Sequence, residues 1–292
     1  MFTFPRGLRY PCCESLGAAH GKRRFVFSIK GKTMENSLHH HSARHCFSDL
    51  ERESVYRAIF SRRDVRGEFT SQPVCPQVLS RILMAAHYAP SVGFMQPWNF
   101  IIVRSQETKK KVHALFAQAH EEAAGMFEGE ARETYRKLKL EGILESPINI
   151  CITCDRDRAG PVVIGRTHIK TMDLYSSVCA VQNLWLAARA EGLGLGWVSI
   201  LDQARLKDVL AIPGRVVPVA YLCLGHVTHF HDRPELQAAG WLPRLPLGDV
   251  VDFEAFDQGA DDSFARDLLD HVRADQLRIE GAGPEGGFLA AE

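Results

Sequence analysis

An α+β fold with a buried central sheet flanked by helices is predicted by three features of the sequence. Helical and strand periodicities alternate between residues 48 and 252. The strands read as short, continuous apolar runs rather than half-polar ones, as expected of a sheet covered on both faces. The chain has 292 residues, 46% of them hydrophobic and 24% charged, enough apolar surface for a sizeable core.

Each element has its own signal. SDLERESVYRAIFSRR opens with Ser48, followed three residues later by Glu51, the pattern of a capping box. PQVLSRILMAAHYA places Val78, Ile82, Leu83 and Ala86 on one helical face, and FIIV is a short strand. SQETKKKVHALFAQAHEEAAGMF and EARETYRKLKLEGI predict two charged amphipathic helices, and NICITC the next strand. In MDLYSSVCAVQNLWLAARAEG, Leu174, Val178, Val181, Leu184, Trp185 and Ala188 form a broad apolar face that Gly192 stops. LGWVSI then reads as a strand, QARLKDVLAI as a helix and VVPVAYLCLGHV as a long strand.

The ends differ from this middle. Residues 1–47 carry a basic excess without sustained periodicity and read as a disordered N-terminal extension. Residues 1–33 lack the apolar stretch of a secretory signal. They read as a transit-type leader or as the product of an upstream start codon, with Met34 the alternative first residue. Residues 253–292 form an acidic C-terminal extension closing in the loop-like GAGPEGG, with one short helix expected around FARDLLDHVRADQLR, where Leu268, Leu269, Val272 and Leu277 recur at helical spacing. No internal repeat is visible.

Composition excludes two function classes. Basic and acidic side chains balance at 35 each, so no global field holds a nucleic-acid backbone. No run of about 18 apolar residues is present to span a membrane. The eight cysteines, Cys12, Cys13, Cys46, Cys75, Cys151, Cys154, Cys179 and Cys223, read as reduced thiols of a cytoplasmic protein. Cys151 and Cys154 have CxxC spacing, but residues three apart on a strand point to opposite faces, so their sulfurs should diverge. His39, His40, His41 and His45 lie in a polar stretch without a carboxylate cage, and no metal site is expected. His168 is a lone histidine, read as structural.

Three clusters carry chemistry. In SRRDVR, Arg62, Arg63 and Arg66 surround one acid, Asp64. Guanidinium groups bind phosphate through paired charge-assisted hydrogen bonds worth roughly 1.5–3 kcal/mol each; the competing reading is a solvated basic helix end. In APSVGFMQPWNF, prolines and Gly93 fix a turn that sets Ser91, Gln96 and Asn99 beside Phe94, Met95 and Trp98. Such a turn suits a planar heterocycle, or is a packed aromatic turn. GLGLGWVSI follows a helix and opens a strand, the reverse of a dinucleotide fingerprint. Its glycines are expected to permit close backbone approach, with Ser199 at the edge.

Taken in order, RRDVR, PSVGFMQPWNF, LKLEGI, CDR, GRTH, MDLYS and GWVSI resemble the nitroreductase-like flavoproteins, and among them the 5,6-dimethylbenzimidazole synthases. The resemblance covers about residues 48–252 and neither end. It implies a dimeric nitroreductase-like α/β sandwich, with a central mixed sheet flanked by helices and FMN bound at the subunit interface. It implies that reduced FMN is a substrate, fragmented with O2 to 5,6-dimethylbenzimidazole, the lower ligand of vitamin B12, and erythrose 4-phosphate. NAD(P)H would act only indirectly, through a separate flavin reductase. By motif, Arg62, Arg63, Asp64, Val65 and Arg66 match the flavin-binding opening, Pro90 and Ser91 the next binding turn, Lys139 a basic flavin contact, and Val198 and Ser199 the strand near the reactive ring. Gly67 departs from an acidic residue of some relatives, outside the binding core.

On this reading a lid, Ala117 to Leu140, excludes the water that would decompose a flavin peroxide. Asp64 removes the proton from the ribityl carbon next to the ring, Ser199 orients the peroxide or the ring, and the flanking arginines keep Asp64 ionised. Two other functions compete: an NAD(P)H-dependent nitroreductase that retains FMN as cofactor, and a non-catalytic flavin-binding protein. Asp64 bears on the first, since many relatives place a small hydroxyl residue after the paired arginines.

Overall fold

The structure is a computed structural model, and it describes residues 46–282. Of the histidines and cysteines named above, Cys12, Cys13, His39, His40, His41 and His45 lie outside the described residues. So does most of GAGPEGG.

Helix α1 spans Asp49–Ser61, with Ser48 and Glu51 in the expected reciprocal cap. It is followed by α2, Pro76–His87, with proline in its first turn. Strand β1 is Trp98–Val103, α3 is Gln106–Ala124, and α4 is Gly129–Lys137. Next come β2, Ile148–Asp155, α5, Met172–Ala190, β3, Gly194–Val198, α6, Gln203–Leu210, and β4, Val216–Gly225. A one-turn helix α7, Glu235–Ala238, and a long α8, Ser263–Ala282, complete the described chain.

The four strands form one sheet in the order β1-β2-β4-β3, each pair antiparallel. The parallel contact is a single bridge, Asp64 to Leu195, laid against the free edge of β3. Ile150 and Ile152 of β2 point into a core built with Ile82 of α2 and Leu184 and Trp185 of α5. Cys151 points the opposite way, into a second core with Val112 and Phe116 of α3, Leu206 of α6, and Val65, Val198 and Tyr221. The sheet is therefore the middle layer of a sandwich, and a fully buried Ile or Leu in either core contributes about 1.5–3 kcal/mol. The diverging sulfurs follow from the same alternation: Cys151 faces the α3 side, whereas Cys154 meets Ser177 of α5. Burial pushes the Cys151 thiol up to about 12, which leaves it inert.

Four expectations are corrected. The helix expected over EARETYRKLKLEGI stops at Lys137, and Leu138 is already extended. The reason is tertiary: Gly142 lies so close to the Arg66 carbonyl and the Phe69 ring that helical side chains would not fit there. On α5 Val181, Leu184, Trp185 and Ala188 are buried as expected, but the first turns differ, with Asp173, Ser176 and Ser177 inside and Tyr175, Val178 and Cys179 exposed. Burial of Asp173 is tolerated because Arg156 and Arg166 bind it, and both serines return their hydroxyls to helix carbonyls. The C-terminal helix is longer than FARDLLDHVRADQLR. Within it, Leu277 is exposed rather than core.

Candidate active site

The stretch Arg62–Arg66 leaves α1 extended and is fastened to β3. The Val65 N–H donates to the Leu195 carbonyl at 3.0 Å, and the Trp197 N–H donates to Asp64 Oδ1 at 2.9 Å. Two glycines make this approach possible, as their spacing in the sequence suggested. A Cβ on Gly196 would sit 2.0 Å from the Val65 carbonyl oxygen, and one on Gly194 2.3 Å from Val227 Cγ1.

Both oxygens of Asp64 are therefore directed. Oδ1 takes the Trp197 amide, and Oδ2 accepts from Arg66 Nη2 at 2.8 Å. Arg66, only 10% exposed, also reaches Glu235 Oε2 of α7 at 3.0 Å. Burial raises the Asp64 carboxyl above its ordinary value; Arg66, the Trp197 amide and Arg62 offset only part of that. This corrects the expectation that the arginines alone govern the group. The net shift is toward the proton-bound form, which is the direction that strengthens a general base.

The paired arginines play different parts. Arg63 donates to the carbonyls of His231 (2.9 Å), Phe60 (2.8 Å), Arg62 (2.8 Å) and Asp232, so its guanidinium is engaged as a clamp on the backbone. Four of its five N–H groups are thus taken by backbone carbonyls. The Arg62 guanidinium stacks over the Trp185 ring at 4.5 Å and makes no hydrogen bond or ion pair among the described residues. Burial draws Arg62 below its ordinary value, Asp64 pulls it back, and Arg244 pushes it further down. The exposed Arg244 makes no ion pair among the described residues, and its charge opposes that of Asp64 at Arg62.

Val65 is buried beneath this stretch and Val198 beneath the end of β3. Ser199 follows at once, exposed, with a hydroxyl that forms no hydrogen bond among the described residues. It lies two residues beyond the amide that holds Asp64, about 6.8 Å along an extended chain.

The other assigned residues are placed differently. The stem of Lys139 approaches Gly67, but its ammonium is held by Glu141 and, at 2.8 Å, by Glu145. Burial lowers Lys139, the two carboxylates more than reverse this, and the net shift is upward. Pro90 and Ser91 stand at the end of α2, where Ser91 Oγ accepts the Gln96 N–H at 3.1 Å and the Val92 N–H donates to Ser176 Oγ at 3.0 Å. The turn is unusual: Gly93, Phe94 and Gln96 all have positive φ. Ser176 is in the first turns of α5, whereas Arg62 meets Trp185 near its other end. Nine helical residues separate them, about 13.5 Å. Within one chain, Ser91 and Arg62 are thus anchored at different points along α5.

The segment expected to act as a lid comprises the end of α3 and α4. Its Phe127 packs edge-on against Trp241 at 5.3 Å, three residues before Arg244. Trp185, Trp197, Glu235, Trp241 and Arg244 were missed by sequence reasoning. WLPRLPL gives an isolated arginine no spacing that would announce it.

The sequence model of the nitroreductase family matches residues 59–226. The chain belongs to the nitroreductase family. Within it, the chain is 38% identical to a 5,6-dimethylbenzimidazole synthase of Rhodospirillum rubrum over 190 residues, 65% of this chain and 90% of the relative. It is 37% identical to a protein of the same name from Rhodobacter capsulatus over 200 residues, 68% of this chain and 96% of that one. An iodotyrosine deiodinase solved with FMN and 3-iodo-L-tyrosine superposes with a TM-score of 0.55 at 20% identity, covering 69% of this chain and all (100%) of that one, a likeness of fold. The arrangement sets a partly buried carboxylate, Asp64, held through both oxygens, near the Arg62 guanidinium stacked on Trp185.

Proposed function

We propose that this nitroreductase-family chain converts reduced FMN and O2 to 5,6-dimethylbenzimidazole and erythrose 4-phosphate. The observation that carries the reading is Asp64, a partly buried carboxylate fastened through both oxygens, with Arg62 held nearby over the Trp185 ring. FMN fits the residues present, because its phosphate suits the Arg62 guanidinium, which stacks on Trp185 and makes no ion pair among the described residues. When bound, reduced FMN supplies the product's carbon skeleton and the electrons that dioxygen takes. Asp64, raised by burial, accepts the proton of the ribityl carbon. Its bond to the Trp197 amide fixes the direction of the accepting oxygen. The Ser199 hydroxyl, free among the described residues, orients the reacting end of the ligand. Val65 and Val198 floor the site and keep it dry. Lys139 contributes through its stem and the carboxylates it ties down.

A homodimer completes the site. Ser91 and Asp64 lie at opposite ends of α5, and Tyr175, Val178 and Cys179 expose an apolar face on that helix. A two-fold pairing across this face would carry the partner's Pro90 and Ser91 to Arg62 and Asp64. Among the described residues no helix is long and apolar enough to cross a membrane. The reading places the chain in the cytoplasm, with a flavin reductase supplying reduced FMN.

The test is to mix the purified protein with chemically reduced FMN and air and to follow the small molecules by mass spectrometry. Formation of the benzimidazole by the native protein, lost by at least 100-fold in Asp64→Asn, supports the reading. Rapid NADH-driven turnover of a nitroaromatic with the flavin surviving would instead establish the nitroreductase activity. Full-rate synthesis by Asp64→Asn removes the base from Asp64.

A further inference from the structure

Arg66 stands between two carboxylates. Its Nη2 donates to Asp64 Oδ2 at 2.8 Å, and its Nη1 donates to Glu235 Oε2 at 3.0 Å. The Arg66 side chain is only 10% exposed, so water and salt do little to screen either contact. Glu235 opens α7, and it falls outside the stretch, 59–226, matched by the family model. The segment that delivers it is fastened around the site at several further points. Arg63 donates to the His231 and Asp232 carbonyls, His231 Nε2 lies 2.9 Å from Glu68 Oε1, and Arg189 of α5 lies over the Phe230 ring at 4.1 Å. Within the turn, the Ala239 N–H donates to the Glu235 carbonyl and the Trp241 N–H to the Leu236 carbonyl, each at 2.9 Å. The fold therefore fixes Glu235 against Arg66 from both sides of the sequence.

Among the described residues, the charged and titratable groups that act on Asp64 include Arg62 and Arg66 of its own stretch and Cys223 of β4, while Trp197 of β3 contributes its amide. Glu235 is the anion on the other side of Arg66. A guanidinium shared by two carboxylates is partly neutralised by the second, and depresses the proton affinity of the first less than one held by that carboxylate alone. It is also kept from rotating, because both ends of its fork are engaged.

We infer that Glu235 is a positioning residue for the base: through the Arg66 guanidinium it fixes Asp64 Oδ2 and keeps that carboxylate a stronger proton acceptor than an Asp–Arg pair alone would be. The inference rests on the reading that Asp64 takes the ribityl proton, but the link from Glu235 to Asp64 is measured without any flavin.

The first measurement uses the full chain carrying isotope-labelled aspartate carboxyl carbons, followed by NMR as pH is varied. The Asp64 resonance is the one lost in Asp64→Asn. Glu235→Gln keeps the length of the side chain and an acceptor oxygen but removes the charge. Its Asp64 midpoint is expected at lower pH than in the native protein, because Arg66 then acts on Asp64 undivided. The second measurement is benzimidazole synthesis from reduced FMN and air. Glu235→Gln is expected to lose about 3-fold in kcat with KM unchanged, as a weaker base would, and Glu235→Ala, which also frees the guanidinium, about 10-fold. A native midpoint in Glu235→Gln overturns the inference, and so does a fall in melting temperature and flavin affinity with the midpoint unmoved, which marks a structural pin. A midpoint moved to lower pH, together with full-rate synthesis by Asp64→Asn, overturns the base assignment while upholding the link from Glu235 to Asp64.

Discussion

Gly196→Ala isolates the contact on which the site is built. A methyl group there would lie 2.0 Å from the Val65 carbonyl oxygen and 3.2 Å from its carbon. Both obstructing atoms are backbone, so no side chain can rotate away. The Arg62–Arg66 stretch and β3 must separate by more than 1 Å to reach ordinary contact, roughly the 3.4 Å spacing of packed atoms. Separation breaks the Val65–Leu195 bond, worth about 1 kcal/mol, and the Trp197–Asp64 bond, about 1.5–3 kcal/mol because the acceptor is charged. Overpacking adds about 1–3 kcal/mol. These effects overlap, and together they predict a loss of about 3–5 kcal/mol. The variant should still fold, since domains of this size hold about 5–15 kcal/mol, but melt about 6–20 °C lower. Gly214→Ala is the control: nothing lies within 4 Å of its Cβ position, so its stability should stay within about 0.5 kcal/mol of native. Calorimetry reads the first effect, and product yield from reduced FMN reads the second, which should fall with the displaced carboxylate. A Gly196→Ala protein melting within about 2 °C of native would refute the close approach itself.

The two arginines should separate by assay. Arg62→Ala is expected to weaken FMN by at least 10-fold with little change in melting, and Arg63→Ala to lower the melting temperature because it releases four carbonyl contacts. For Asp173, burial pushes the carboxyl up but Arg156 and Arg166 more than offset it, leaving it below its ordinary value. Its contribution to stability is therefore full above the unfolded carboxylate range, near pH 4, and is lost as pH falls through the depressed folded value. Asp173→Asn should cost about 3 kcal/mol at pH 7 and flatten that part of the acid unfolding curve. Subunit mixing tests the shared site: Asp64→Asn and Ser91→Trp homodimers should both be inactive, and mixing should restore activity through heterodimers holding one intact site. No recovery on mixing, with exchange verified by mass spectrometry, would place both residues in one chain's site.

Much of the fold was legible because its causes are local. Ser48 and Glu51 announce α1, Gly192 stops α5, and the run NICITC can only be a strand buried on both sides. Legibility failed where distant atoms decide. Nothing in LKLEGI says that Gly142 must lie under Phe69, so the end of α4 was misplaced. Only the first turns of α5 were misjudged, because a buried aspartate is tolerated only with Arg156 and Arg166 present, and those residues lie in the preceding loop. The glycines of GLGLGWVSI could be read as a close approach, but not what approaches.

The candidate site shows the same division more sharply. Sequence order sets RRDVR and PSVGFMQPWNF side by side, and their shared chemistry invites placing them around one ligand. The fold separates them along α5, because α1 delivers Arg62 to Trp185 while the turn after α2 docks on Ser176. A motif spacing records the path of one chain and holds no information about a second copy. Arg63 and Arg62 make the complementary point, since identical neighbours in the sequence differ completely in what surrounds them. Arg63 is satisfied by carbonyls and so cannot attract an anion strongly. The Arg62 guanidinium is satisfied only by an aromatic face. The balance of a charge with its surroundings, rather than its residue type, separates a binding group from a structural one, and that balance is a property of the folded chain.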